Sequence, residues 1–391
     1  MTRPIDRPLR IGVTCHPTVG GSGILASELG KFLARRGHAV HFVTMGVPYR
    51  LRDDFHENVF FHSVEVERYP MFEHAPYNMA LAAKMRDVAE AEGLDLLHAH
   101  YAVPHAVSAY LASQMLASRG GRPLPVVTTL HGTDITLVGQ DKSFYELTRF
   151  AIESSTAVTA VSDYLKRETE RVFAPRREIR RIHNFIDAGL FRRSPVHSPA
   201  QGHCRRGMFA EGDQVVFMHL SNFRPVKRVE DVVRVFARVA ESEDAVLVMI
   251  GEGPTQRSAR ALAESLGVAN RVRFLGNQMD VPSLMGCGDV FLFPSEMESF
   301  GLAPLEAMAC EVPVIASDSG GIPEVVAHGE TGFLAPVGDV ARMAEYALLL
   351  ARDPGLRSRM GIAGRRRALE LFSPDAMVDQ YEALYREVAA P

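Results

Sequence analysis

Short apolar runs rich in β-branched residues recur along this chain, most of them followed by a helical stretch. That alternation restricts the fold more than any other feature. "LRIGVTC" (residues 9–15), "HAVHFVT" (38–44), "LDLLHAH" (94–100), "PVVTTLHG" (125–132) and "STAVTAVS" (155–162) form one series. Runs of this kind are buried strands, and helices between them imply a parallel sheet covered by helices. Between Asp187 and Asp213 the rhythm breaks into "RRSPVHSPAQGHCRRG", which reads as a linker or an exposed excursion. A second series follows, with "QVVFMHLS" (214–221), "AVLVMIGEG" (245–253), "RVRFLGN" (271–277), "DVFLFPS" (289–295), "VPVIAS" (312–317) and "GFLAPV" (332–337). The expected organisation is α/β, with one Rossmann-like domain over 1–190 and a second over 191–372. A C-terminal helix over 373–391, from about Pro374 to Val388, follows; its packing against the first domain is left open by sequence alone.

A chain of 391 residues exceeds one ordinary core, which agrees with two domains of similar size. The net charge of −4 supplies no basic footprint for nucleic acid, and runs such as Val246 to Ile250 are too short to span a bilayer. No apolar segment follows the N-terminal arginines, so no secretory signal is read there. Cys15, Cys204, Cys287 and Cys310 form no C-x-x-C pair, and four reduced, buried thiols in a cytoplasmic protein are expected.

Bare backbone after the first strand is the first candidate site. "HPTVGGSGILASELG" (16–30) places Gly20, Gly21 and Gly23 around Ser22 at the start of a helix. The spacing is G-G-x-G rather than G-x-G-x-x-G, and the second strand closes on Thr44 and Met45 with no acidic residue. A dinucleotide site therefore lacks its ribose anchor. An anion loop and a plain tight turn both remain open.

The second series adds chemistry. In "EMESFGLAPLEAMAC" (296–310) seven residues separate Glu298 from Glu306. A helix beginning near Leu302 or Ala303 carries Glu306 about one turn inside, with Pro304 tolerated in the first turn. Glu298 then lies ahead of it, beside the N–H groups of Phe300, Gly301 and Leu302. Such a corner can take sugar hydroxyls, a ribose and a phosphate; two acidic residues flanking an ordinary helix cap is the plainer alternative. "SNFRPVKRVEDV" (221–232) puts Arg224 and Lys227 after a strand, suited to a diphosphate. "GEGP" (251–254), "FLGNQ" (274–278) and "ASDSGGIPEVV" (316–326) each end a strand in a loop where a nucleotide docks. His98, His100 and His105 lack a nearby carboxylate or cysteine that would complete a metal site, and they read instead as residues lining a strand end. No D-x-D occurs, so no metal ion is expected on a nucleotide diphosphate. Two carboxylates from one loop–helix corner lie on the same side of a sugar, which disfavours a glycosidase.

These motifs together resemble the retaining glycosyltransferases of family 4, with the GT-B fold and an E-x7-E motif, and the resemblance covers nearly the whole chain. "HAHYAVPHAVSAYLA", "VTTLHGTDITLVG", "RFAIESS" and "NFID", taken with the glycine loop, are similar to the branch that moves N-acetylglucosamine from UDP to the hydroxyl of L-malate in bacillithiol synthesis. The resemblance implies two domains facing across a cleft, a C-terminal one for the UDP-sugar and an N-terminal one for the acceptor. It implies that Glu306 holds the ribose, Arg224 and Lys227 the diphosphate, and Gly276, Asn277 and Gln278 the uracil. Glu298 and His131 then face the sugar, while Gly21, Ser22 and Gly23 complete the diphosphate site. Ser22, Tyr101, Thr129 and Arg149 fall to the acceptor. Asn222 stands where many members carry an arginine, a charge that Arg224 is expected to supply, and His16 is given no role. No cofactor beyond the donor substrate UDP-N-acetylglucosamine is implied, and no nucleic acid or membrane partner. A homo-oligomer stays open. So do related members acting on inositol phosphate or a lipid head group, a nucleotide-sugar binding module without chemistry and, least favoured, a nicotinamide dehydrogenase.

Overall fold

The computed structural model describes residues 7–18, 20–52, 55–66, 74–193, 207 and 209–390. Two compact units emerge, one built from 1–185 with 374–391 and the other from 186–373. Most of the excursion expected at 192–207, with Cys204, lies outside the described residues.

In the first unit, strands β1 (Arg10–Thr14), β2 (Ala39–Thr44), β3 (Val59–Ser63), β4 (Leu96–His100), β5 (Val126–Leu130), β6 (Ala157–Ala160) and β7 (Ile179–Arg181) alternate with helices. The helices are α1 (Gly21–Arg35), α2 (Tyr77–Glu92), α3 (Val107–Ala117), α4 (Thr133–Thr136), α5 (Tyr145–Ser154) and α6 (Asp163–Phe173). All strand pairs are parallel, in the order β3-β2-β1-β4-β5-β6-β7. Strands β1, β4 and β5 were legible because nearly every side chain in them is buried. The edge strands β3 and β7 escaped the pattern: β3 exposes Phe60 and Phe61, and β7 is the three-residue "IRR".

The second unit holds β8 (Val215–Leu220), β9 (Ala245–Ile250), β10 (Val272–Gly276), β11 (Val290–Phe293), β12 (Val314–Ser317) and β13 (Gly332–Ala335), parallel in the order β10-β9-β8-β11-β12-β13. Its helices are α7 (Val229–Ala240), α8 (Gln256–Ser265), α9 (Val281–Met285), α10 (Leu302–Ala309), α11 (Ile322–Val325), α12 (Val340–Arg352) and α13 (Pro354–Leu371). Helix α7 shows why such segments coil: Val229, Val232, Val233, Phe236 and Val239 share one buried stripe, with Glu230 and Asp231 at its positive end and Arg238 at its negative end.

The last helix, α14 (Pro374–Ala389), belongs to the first unit. Met377, Val378, Tyr381, Leu384 and Tyr385 recur at helical spacing and enter the core formed with β1 and α1. Each fully buried apolar side chain contributes roughly 1.5–3 kcal/mol, so the stripe suffices to dock the helix. Arg36 at the end of α1 fastens its outer face, reaching Asp379 at 2.5 Å and Glu382 at 3.1 Å.

Both sheets reverse their direction of growth once, between β1 and β4 and between β8 and β11. At such a point the loops leaving the two strands diverge and open a crevice at their C-terminal ends, where open α/β sheets bind ligands. Topology therefore selects the loops after β1, β4, β8 and β11. They are the glycine loop, "YAVPHA", "SNFRPVK" and the Glu298 loop.

Candidate active site

In the first unit the loop after β1 runs into α1 through Gly20, with no side chain capping the helix. The N–H groups of Gly23 and Ile24 both turn back to the Gly20 carbonyl at 3.1 Å. Gly21 and Ser22 therefore hold the outward N–H groups of the first turn, and no acidic residue competes for an anion there. Gly23, expected among the anion contacts, has a different task. A Cβ there would lie 2.3 Å from the His16 carbonyl oxygen and 2.8 Å from that of Thr18. It is bare so that the loop can lie on the helix.

Around this loop the structure gathers aromatic and imidazole rings. Tyr101 adopts φ 91°, a strained value for a side chain of this size. Its ring sits 5.2 Å from that of His16 and 5.3 Å from that of His131. The His16 ring lies tilted against that of His105, with centroids 4.5 Å apart, so a residue given no role from sequence belongs to the cluster. His105 Nδ1 donates to the His100 carbonyl at 2.5 Å, which leaves its buried Nε2 as a bare lone pair. His100 Nδ1 lies 2.9 Å from His131 Nε2, and His100 Nε2 is buried without a partner. A buried orphan N–H is rarer than an under-satisfied acceptor. We therefore assign the shared proton to His100 Nδ1, the same tautomer as His105, which leaves His131 with a donor at Nδ1. Burial is the main cause that pushes the His98, His105 and His131 pKa values down to about 3, so the rings are neutral at pH 7. Asp134 fixes the backbone beneath them, accepting the N–H groups of Ala102, His131 and Gly132.

Thr129 does not face a ligand as expected. It is 1% exposed, and its hydroxyl bonds His98 Nε2 at 2.7 Å, Thr159 at 2.7 Å and the Tyr381 hydroxyl at 3.3 Å. It buttresses His98, whose other nitrogen meets the Tyr385 hydroxyl of α14 at 2.7 Å. Arg149 lies on α5 outside the ring cluster, its side chain 49% exposed, with Glu146 at 3.9 Å. Helix α5 itself packs on the 102–106 turn that follows Tyr101.

In the second unit the loops after β8 and β11 are bound together by the Glu296 N–H donating to the Val226 carbonyl at 2.8 Å. Lys227 and Glu298 meet there in a short ion pair, both largely buried, with the ammonium over the Phe293 ring at 5.6 Å. Gly320 and Gly321 press on the backbone carrying Glu298. A Cβ on Gly320 would fall 2.0 Å from the Glu298 carbonyl oxygen, and the Gly321 N–H donates to that oxygen at 2.8 Å. Gly301 opens α10, whose first N–H groups belong to Leu302 and Ala303, and the Phe300 ring is buried against Phe372. Glu306 lies one turn inside α10, 6% exposed. Arg224 is exposed, as is Asn222, whose carbonyl packs against Gly253. Gly276 receives the Gly251 N–H at 2.8 Å, Asn277 donates to Glu252 at 3.1 Å, and Gln278 donates to the Leu275 carbonyl at 2.6 Å. Of the cysteines, Cys15 and Cys310 are free and buried, and the buried Cys287 Sγ lies 3.2 Å from the Ser283 carbonyl oxygen.

A basic residue and a carboxylate at the switch point of one parallel sheet, with neutral imidazoles and helix N–H groups at that of another, suit an anionic, hydroxyl-rich ligand. The comparisons agree. Residues 205–367 match the model for glycosyl transferases group 1 and residues 19–190 that for glycosyltransferase family 4. The chain belongs to these glycosyltransferases. It is 45% identical to the N-acetyl-alpha-D-glucosaminyl L-malate synthase of Bacillus anthracis, covering 97% of each chain. It is 28% identical to a GDP-mannose-dependent phosphatidylinositol monomannoside mannosyltransferase of Mycobacterium tuberculosis, covering 92% of this chain and 93% of that one. Among solved structures, a Rickettsia africae glycosyltransferase superposes with a TM-score of 0.80 at 20% identity, covering 98% of this chain and 99% of that one. HepE from Anabaena, solved with UDP and glucose, does so with 0.78 at 22% identity, covering 96% and 99%.

Proposed function

We propose that this enzyme transfers N-acetylglucosamine from UDP-N-acetylglucosamine to the hydroxyl of L-malate with retention of configuration, in the cytoplasm, as a step of bacillithiol synthesis. The acceptor rests on the 45% identity, over nearly the whole of both chains, to a protein named for that product. The geometric observation behind the chemistry is the Lys227–Glu298 pair at the mouth of α10.

The second unit holds the donor. Lys227 and Arg224 take the diphosphate, assisted by the Leu302 and Ala303 N–H groups. Glu306 takes the ribose diol, and the 276–278 loop takes the uracil. Donor binding recruits the Lys227 ammonium to phosphate and frees the Glu298 carboxylate for sugar hydroxyls. The first unit supplies the His131 Nδ1 donor to the sugar. It also supplies cations and donors for a dianionic acceptor: the Gly21 and Ser22 N–H groups, the Tyr101 hydroxyl and Arg149, whose pairing with Glu146 is long and exposed. The bond from the anomeric carbon to the diphosphate oxygen breaks while that to the malate oxygen forms on the same face. The malate proton passes to the departing phosphate oxygen. The protein contributes position and a preorganised field for the leaving group.

UDP release measured with UDP-N-acetylglucosamine, with and without L-malate, tests this reading. Release that requires L-malate supports it. Release driven better by inositol phosphate reassigns the acceptor, and no release with either makes the chain a binding module.

A further inference from the structure

A separate cluster of ligand-type side chains occupies the first unit away from its switch point. His41 in β2, His62 in edge strand β3 and Glu92, the last residue of α2, each offer one donor atom, and these atoms lie within 4.8 Å of one another. Helix α2 leads directly into β4, so Glu92 lies near the end of the sheet where its strands begin. Arg10, at the start of β1, donates to the Glu92 carbonyl at 2.6 Å and fixes that corner. The Gly21–Ser22 turn and Tyr101 follow the opposite, C-terminal ends of their strands.

We propose that His41, His62 and Glu92 bind one divalent cation of the zinc class, with water completing its coordination. His41 Nδ1 and His62 Nε2 face each other at 3.0 Å. Two imidazoles bound to zinc at tetrahedral angles stand about 3.3 Å apart, so the rings need open by only a few tenths of an ångström. Phe60 stacks on His41 at 4.7 Å and holds its orientation. The Glu92 carboxylate is close enough to act on both imidazoles, with Arg10 acting on His41 and Lys84 on His62. Two imidazoles and a carboxylate suit zinc better than magnesium or calcium, which prefer all-oxygen shells. The ligands come from three elements, so the ion would pin edge strand β3, with its exposed Phe60 and Phe61, to β2 and to the end of α2. Such an ion stabilises the fold by binding the native state alone.

The test uses the full chain, stripped with chelator and exchanged into metal-free buffer. Zinc chloride is titrated by calorimetry, cobalt(II) by its visible absorption, and thermal midpoints are recorded with and without zinc. The expected result is one equivalent per chain, tetrahedral cobalt bands and a raised midpoint. Affinity should fall by roughly 100-fold in His62→Ala and by at least tenfold in Glu92→Gln. Glu92→Gln changes one half-exposed side chain at a helix end and keeps the test valid if His62→Ala folds poorly. UDP release by Glu92→Gln should match that of the parent. Absence of a one-equivalent event overturns the proposal. So does zinc binding that Glu92→Gln leaves unchanged, or binding that His105→Gln abolishes instead.

Discussion

Replacing Gly23 with alanine sets two effects against each other, and the structure decides the sign. In an ordinary helix the change stabilises by about 1 kcal/mol. Here the new Cβ would sit 2.3 Å from the His16 carbonyl oxygen, against an ordinary contact of about 3.4 Å or more. Both atoms belong to backbone, so no rotamer change relieves the overlap, and the loop must move from α1 by about 1 Å. Overpacking of this kind costs roughly 1–3 kcal/mol, which cancels or exceeds the helix gain. A midpoint lowered by zero to a few degrees follows. The larger effect falls on function, because the loop carries His16 and the approach to the Gly21 and Ser22 N–H groups. A displacement near 1 Å costs about 100-fold in rate. Gly20→Ala is the matched control: its φ of −72° suits any residue, and its nearest neighbour would be Thr18 Oγ1 at 3.6 Å. Glycine ranks well above alanine at an N-cap, so a loss of roughly 0.5–1 kcal/mol in stability is expected there, with the rate of UDP release unchanged. Initial rates of UDP release and thermal melts of both variants settle the matter. A Gly23→Ala rate of UDP release within twofold of the parent, or a Gly20→Ala rate lowered equally, would refute the reasoning.

Other substitutions separate the proposed roles. Glu298→Gln should lower kcat and Glu306→Ala should mainly raise the donor KM, since a ribose contact is made equally in ground and transition states; a Glu298→Gln turnover within twofold would count against the first. Lys227→Ala should lose about 3–4 kcal/mol of transition-state stabilisation, seen as a kcat/KM fall of roughly 100- to 1,000-fold. Arg149→Ala should raise the L-malate KM by roughly 10- to 100-fold, matching the 1.5–3 kcal/mol of a charged hydrogen bond, with the donor KM unchanged. For acid stability, His98, His105 and His131 titrate near 3 in the fold against 6.5 unfolded, so the unfolded chain binds more protons between those values and stability falls as pH drops below 6.5. At pH 5 each ring costs up to about 2 kcal/mol, and a thermal midpoint flat from pH 7 to 5 would contradict their burial as neutral rings. On the proposed reading, in which Lys227 and Arg224 rather than a metal offset the diphosphate charge, chelation should leave the rate at 25 °C unchanged; loss of rate restored by added metal would overturn that.

Central strands and the Glu298 corner were legible because burial leaves a direct trace in composition, and a helix start leaves one in spacing. β7, with "IRR", leaves no such trace, and β3 is half exposed. Glycines were harder to interpret. Sequence marks Gly23, Gly320 and Gly321 as bare backbone but cannot tell a ligand's approach from that of another chain segment, and in all three the neighbour is protein. The histidine cluster was visible only as separate motifs. His100 meets His131 and His98 meets Thr129 because β4 and β5 pair in a particular register, with His100 opposite Thr129. The part played by Tyr381 and Tyr385 depends on a helix more than 200 residues away in sequence and follows from its docking alone.

The anomeric configuration and identity of the product test the central claim most directly. UDP-N-acetylglucosamine and L-malate are incubated with the enzyme, and the purified product is examined by proton NMR and mass spectrometry. The account predicts one N-acetylglucosaminyl group α-linked to the malate hydroxyl, formed in step with UDP. A β-linked product, free N-acetylglucosamine as the main product, or no malate adduct despite UDP release would contradict it.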